Sequence, residues 1–93
     1  MRYLIAAVLI CMASVGLAKD TGFSAQDDAE VMARTGVLRH LGRNGGRREG
    51  VGMASTPEGA LRRCCYYGRY RIFDQGVAWS PARRMWFACI RYE

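Results

Sequence analysis

Hydrophobic and polar positions change period along the chain, and each change marks an element. From Ser24, apolar residues recur at helical spacing, with Ala25, Ala29, Met32 and Ala33 on one face. Ser24 can cap this helix, and Asp27 and Asp28 fall in the first turn, where the helix dipole favours anions. Gly36 either breaks the helix or sits inside it, and Val37, Leu38 and Leu41 extend the apolar pattern towards His40. Residues 42–50 hold no large apolar side chain and read as a glycine- and arginine-rich loop. Residues 51–54 read as a short strand that runs into a second helix start. There Thr56 suits the cap, Pro57 the first helical position and Glu58 the positive end of the dipole. Ala60, Leu61, Cys64 and Cys65 form the stripe of that helix, Arg62 and Arg63 face away, and Gly68 ends it. Residues 70–73 read as a connector or short strand, 76–79 as a strand, and 80–84 as a turn that Pro81 starts. In the final strand, 85–92, Trp86, Ala88, Ile90 and Tyr92 alternate with Met85, Phe87, Cys89 and Arg91.

The order helix, strand, helix, strand, strand predicts a small α+β fold, a three-stranded antiparallel sheet packed with helices. The 93 residues allow one domain. Arg2, an apolar run over 4–12 and Gly16-Leu17-Ala18 have the pattern of a secretory signal peptide. This predicts cleavage after Ala18, a domain of residues 19–93, and a secreted or periplasmic location. No other stretch is apolar enough to span a membrane.

Export bears on the cysteines. Cys11 leaves with the signal peptide, and Cys64, Cys65 and Cys89 remain where disulfides persist. An odd count leaves one thiol over. A bridge from Cys64 or Cys65 to Cys89 would close a loop of about 25 residues and contribute on the order of 3 kcal/mol. The other reading is three buried thiols acting as small hydrophobes.

Charge bears on partners. The formal net charge is +6, and it is uneven. Residues 34–93 carry twelve arginines against four acids, net +8, while residues 19–33 carry one lysine against four acids, net −3. Arg43, Arg47, Arg48, Arg62, Arg63, Arg83 and Arg84 are the candidates for binding an anionic envelope or membrane surface. Arg69, Tyr70 and Arg71 beside Tyr66 and Tyr67 interleave aromatics with arginine, as in surfaces that stack on bases, but the export signal argues against a nucleic-acid partner. His40 and Glu49 can pair as base and orienter. Cys64-Cys65 lacks C-x2-C spacing, so no metal or other cofactor is expected, and nothing matches a phosphate loop or a catalytic triad.

The segment 29–33, His40, Glu49-Gly50-Val51-Gly52 and Ser55-Thr56-Pro57, followed by Gly76-Val77-Ala78 and Met85-Trp86-Phe87, resembles the CAP superfamily. That family comprises cysteine-rich secretory proteins, antigen 5 and pathogenesis-related class 1 proteins, with short bacterial members. The resemblance implies an α-β-α sandwich and a cleft lined by two histidines and two glutamates. His40 matches the first histidine and Glu49 the first glutamate. Arg69 stands where the second histidine belongs, and the second glutamate has no counterpart. The resulting expectation is an exported CAP-like binding module with a degenerate His/Glu cleft, not an enzyme. The alternative is a cationic secreted protein that binds anionic surfaces through its arginines.

Overall fold

The computed structural model describes residues 22–93, so the expected signal segment 1–18 lies outside the described residues. Five elements follow in the expected order: α1 (Ala25–Thr35), β1 (Glu49–Ala54), α2 (Pro57–Arg62), β2 (Ile72–Ser80) and β3 (Met85–Tyr92). The sheet order is β1-β3-β2, antiparallel throughout. β3 is central because it is the strand with apolar side chains on both faces. Phe87 and Cys89 face α1, whereas Ala88, Ile90 and Tyr92 face α2. The two helices therefore cover opposite faces of one sheet.

Helix α1 begins where the sequence places it. Ser24 Oγ accepts from the Asp27 amide and Asp27 Oδ2 accepts from the Ser24 amide, a reciprocal cap. The Ser24 amide holds the Asp27 carboxyl below its usual range. Gly36 ends the helix in the left-handed conformation, with φ 75°, so Val37 and Leu38 leave the helical pattern and are exposed. The N-terminal turn of α1 also covers the outer edge of β2. Gln26 Nε2 donates to the Val77 carbonyl at 2.8 Å, and Gln26 Oε1 accepts from the Val77 amide at 3.0 Å. One side chain thus replaces a neighbouring strand at that point. Gly76 permits the approach: a Cβ there would lie 2.4 Å from Gln26 Cα.

Three boundaries differ from expectation. β2 runs on from Ile72 to Ser80, with a register irregularity between Ile72 and Asp74, in place of a connector or short strand over 70–73 and a strand over 76–79. β1 starts at Glu49, so this carboxylate belongs to the strand instead of preceding it. α2 stops at Arg62, well before Gly68. The reason is its close seat on β1: a Cβ at Gly50 would meet the Cys65 carbonyl oxygen at 2.4 Å. Tyr92 Oη donates to the same carbonyl at 2.7 Å, which fixes the chain there in a non-helical path. Tyr66 then takes a positive φ of 69°, and successive turns carry the backbone to β2. Cys65 consequently leaves the expected apolar stripe and is exposed, while Cys64 is buried. The anticipated bridge from Cys64 or Cys65 to Cys89 is not formed, and all three are free thiols. Cys89 packs under α1 and Cys64 under α2, on opposite faces of the sheet.

Burial pushes the Cys64 thiol and the Tyr92 phenol up to about 12, and pushes the Cys89 thiol up as well, with Glu49 and Asp28 adding to the effect. The folded state favours the neutral form of each group. That stabilisation is complete below the unfolded values, near 9 for the thiols and 10 for the phenol, and is lost as pH rises through the folded ones. Stability of the fold over residues 22–93 is therefore expected to hold to about pH 9 and to decline towards about pH 12. At pH 8, iodoacetamide should modify Cys65 in the native protein and reach Cys64 and Cys89 only on unfolding. Equal modification of all three in the folded protein, or of none, would contradict this placement.

Candidate functional site

The α1 face of the sheet grades from apolar to charged along β3. Met53 opposes Phe87 and Val51 opposes Cys89, and at the far end Glu49 opposes Arg91. Arg91 is the last of the inward-facing residues of β3 and is 5 % exposed. α1 answers it with Asp28, which lies within the buried stripe of the helix and is 1 % exposed. Arg91 Nη2 donates to Asp28 Oδ2 at 2.8 Å, and Nη1 donates to the Phe23 carbonyl. Arg43, from the loop, donates through Nε at 2.9 Å and Nη2 at 2.5 Å to Asp28 Oδ1. Asp28 is thereby held by two guanidinium groups from two other parts of the chain.

Glu49 is the second buried carboxylate. Its Oε1 lies 3.9 Å from Arg91 Nε, and neither atom has a hydrogen-bond partner. Its Oε2 meets His40 Nδ1 at 3.0 Å. The expected pairing of His40 with Glu49 across the loop is thus present in the structure. A carboxylate only accepts, so the ring Nδ1 carries the proton and donates. The His40 side chain is 55 % exposed and that of Glu49 is 2 % exposed, so the imidazole covers the carboxylate instead of sharing an open pocket with it. Among the described residues His40 makes no other hydrogen bond. Among the described residues no hydroxyl or thiol hydrogen-bonds to the ring.

Asp28, Glu49 and Cys89 each offer one ligand atom, all within 4.8 Å of one another. Arg91 is bonded to one of these carboxylates and lies beside the other, a fixed positive charge where a metal cation would have to sit. The donor set reads as a charge cluster completed by an arginine, not as a metal centre.

The seven candidate arginines do not gather into one patch. Arg43 belongs to the buried cluster and also lies over the Phe23 ring, 3.7 Å from its centroid. Arg83 and Arg84 sit in the β2–β3 turn, where the Arg83 side chain donates to the Gly36 carbonyl at 3.1 Å. Arg62 and Arg63 are exposed at the end of α2. Arg47 and Arg48 lie at the opposite end of the sheet from the hairpin turn, about 20 Å away at ~3.3 Å per strand residue. Arg47 lies over Phe73, 3.5 Å from the centroid, and Arg48 over Tyr70 at 4.2 Å and Tyr66 at 5.8 Å. Tyr66, Tyr70 and Tyr92 pack edge to face with centroids 5.5–6.2 Å apart.

Asp28, Arg91 and Phe73 were not legible as site residues from composition and spacing. The signals for the first two were present: Asp28 falls in the α1 stripe three residues after Ala25, and Arg91 continues the inward series Phe87, Cys89. The chain matches no family model, no curated protein and no solved structure. Among the described residues no helix is long and apolar enough to cross a membrane.

The geometry fixes the protonated nitrogen of the neutral His40 ring. Imidazole nitrogen shifts, measured by NMR where the ring is neutral, should show the Nδ1–H form, which is the minor one in free histidine. An Nε2–H form would show that the contact with Glu49 is not made in solution.

Proposed function

We propose that the chain is a small exported binding module, not an enzyme, that recognises an anionic envelope or membrane surface through arginines. The observation that carries this reading is the state of Arg47 and Arg48. Both guanidinium groups are held over aromatic rings, and neither has an acidic partner among the described residues. Stacking holds each charge near the surface without neutralising it, and an anionic oxygen is the natural complement. Arg62, Arg63 and Arg69 are exposed and add to the field of the molecule.

A second reading follows from the CAP resemblance, in which His40 and Glu49 are the retained half of a ligand cleft. Their 3.0 Å contact favours it. The burial of Glu49 counts against a ligand reaching that carboxylate. The His40 tautomer bears on the pairing, and displacement of His40 by a small ligand would be needed for the cleft to act.

Binding of the purified protein to vesicles that contain phosphatidylglycerol should weaken steeply between ~50 and ~500 mM salt, as the screening length falls from about 14 Å to about 4 Å. Arg47→Ala and Arg48→Ala should each weaken it about fivefold. Salt-independent binding, or none at low salt, would remove this reading.

A further inference from the structure

From Cys65 to Phe73, which spans the connection after α2 and the first two residues of β2, nine consecutive residues are exposed. Five of them are large and apolar or aromatic: Tyr66, Tyr67, Tyr70, Ile72 and Phe73, at 38–51 % exposure. The segment contains Arg69 and Arg71 and no acidic residue. A cluster of exposed rings on so small a chain requires a physical account, because soluble surfaces scatter such residues singly. The fold covers them only in part: Tyr66 and Tyr70 pack edge to face on Tyr92, and each of the five keeps 38–51 % of its surface exposed. α2 stops short, the backbone turns outward at Tyr66 and Gly68, and both take positive φ.

The basic residues border the same rings. Arg47 lies over Phe73, and Arg48 lies over Tyr70 and Tyr66. Arg71 pairs with Glu93 at 3.7 Å, yet its side chain is 80 % exposed, so this ion pair contributes little and is readily exchanged. The combination is specific: apolar rings and an isoleucine standing out from the body, with guanidinium groups at their base. Resting on the anionic-surface reading above, we infer that the segment 65–73 is a membrane-docking edge. Phe73, Ile72 and Tyr67 enter the headgroup layer of an anionic phospholipid surface, while Arg47, Arg48 and Arg69 contact lipid phosphates.

Charge complementarity selects an anionic partner, and the side chains select lipid over a nucleic-acid strand. Base recognition uses open ring faces, and here one face each of Phe73 and Tyr70 is occupied by a guanidinium. Ile72 offers no stacking surface at all, but an aliphatic side chain gains by leaving water for the acyl boundary. Tyrosines are suited to the boundary itself, since the ring can lie among the chains with the hydroxyl among the headgroups. Arginine stems can lie along the same apolar surface with their heads at the phosphates.

The test uses the purified protein with vesicles of pure phosphatidylcholine and of phosphatidylcholine with phosphatidylglycerol, and with a single-stranded oligonucleotide. Phe73→Ala and Tyr67→Ala are compared with Arg48→Ala, with circular dichroism and melting temperature as the check on folding. Binding is expected on the anionic vesicles. Phe73→Ala should weaken it about tenfold and Tyr67→Ala severalfold, at unchanged secondary structure, and both losses should persist at ~500 mM salt, where charge is screened. As Phe73→Ala also removes the ring beneath Arg47, Tyr67→Ala is the independent arm. A loss for Arg48→Ala with none for either ring variant overturns the docking edge and leaves the anionic-surface reading standing. Absence of any anionic-vesicle binding overturns both. Tighter binding to the oligonucleotide than to anionic vesicles overturns the choice of lipid.

Discussion

Arg91 is the residue on which the arrangement of this small protein depends. It places a guanidinium inside the layer between sheet and helix, where an unpaired charge is costly. Three separate pieces of chain must come to it: Asp28 from α1, Glu49 from β1, and the Phe23 carbonyl from the segment before the helix. Arg43 then neutralises the remaining oxygen of Asp28, and His40 covers Glu49. The connection between α1 and β1 holds few large apolar anchors, so these polar contacts are what fix it against the body. A few apolar side chains, among them Met32, Phe87 and Ile90, fill the core, each worth about 1.5–3 kcal/mol on full burial. With so small a core, the charge cluster specifies which way α1 lies on the sheet as much as the apolar contacts do.

On the surface-binding proposal, stability and recognition rest on different groups. His40 and Glu49 look like a functional dyad in isolation, yet in the fold one closes over the other and both serve the buried cluster. The groups proposed to meet a partner lie at the surface: the exposed aromatic rings beyond α2 and the arginines stacked on them. Arginine is used in both ways within a short stretch. Arg43 turns inward to Asp28, whereas Arg47 and Arg48 remain at the surface over rings. The distinction comes from position along the chain relative to β1. Arg47 and Arg48 immediately precede the strand at the end of the sheet, while Arg43 reaches back across the loop to the helix.

Much of the fold was legible in the sequence, because its signals are local. Ser24 and Thr56 both cap as their position suggests, and the alternation over 85–92 gives the central strand with its two buried faces. Element order followed from these. The end of α2 was not legible, because Gly68 is a plausible stop while the actual cause is long-range: Tyr92 holds the Cys65 carbonyl, and β1 comes too close for the helix to continue. The cysteine pairing depended on that same helix end and on knowing which face of β3 each helix covers. Pairing of His40 with Glu49 could be anticipated from the bracketing of the loop. Its burial could not, since that is set by Arg91, forty-two residues beyond Glu49 in the chain and directly opposite it in the sheet.

The central role of Arg91 is open to a double-mutant cycle with Asp28. Arg91→Met and Asp28→Asn, measured by urea unfolding, should each cost about 3–5 kcal/mol, because each leaves a buried group without its partner. The double variant should cost less than the two together by more than ~1 kcal/mol, since the contact between Arg91 and Asp28 is lost only once. A double variant that folds where a single one does not would carry the same meaning. Single substitutions that cost under ~1 kcal/mol each and add without coupling would contradict the account, and the orientation of α1 would then have to come from its apolar stripe alone.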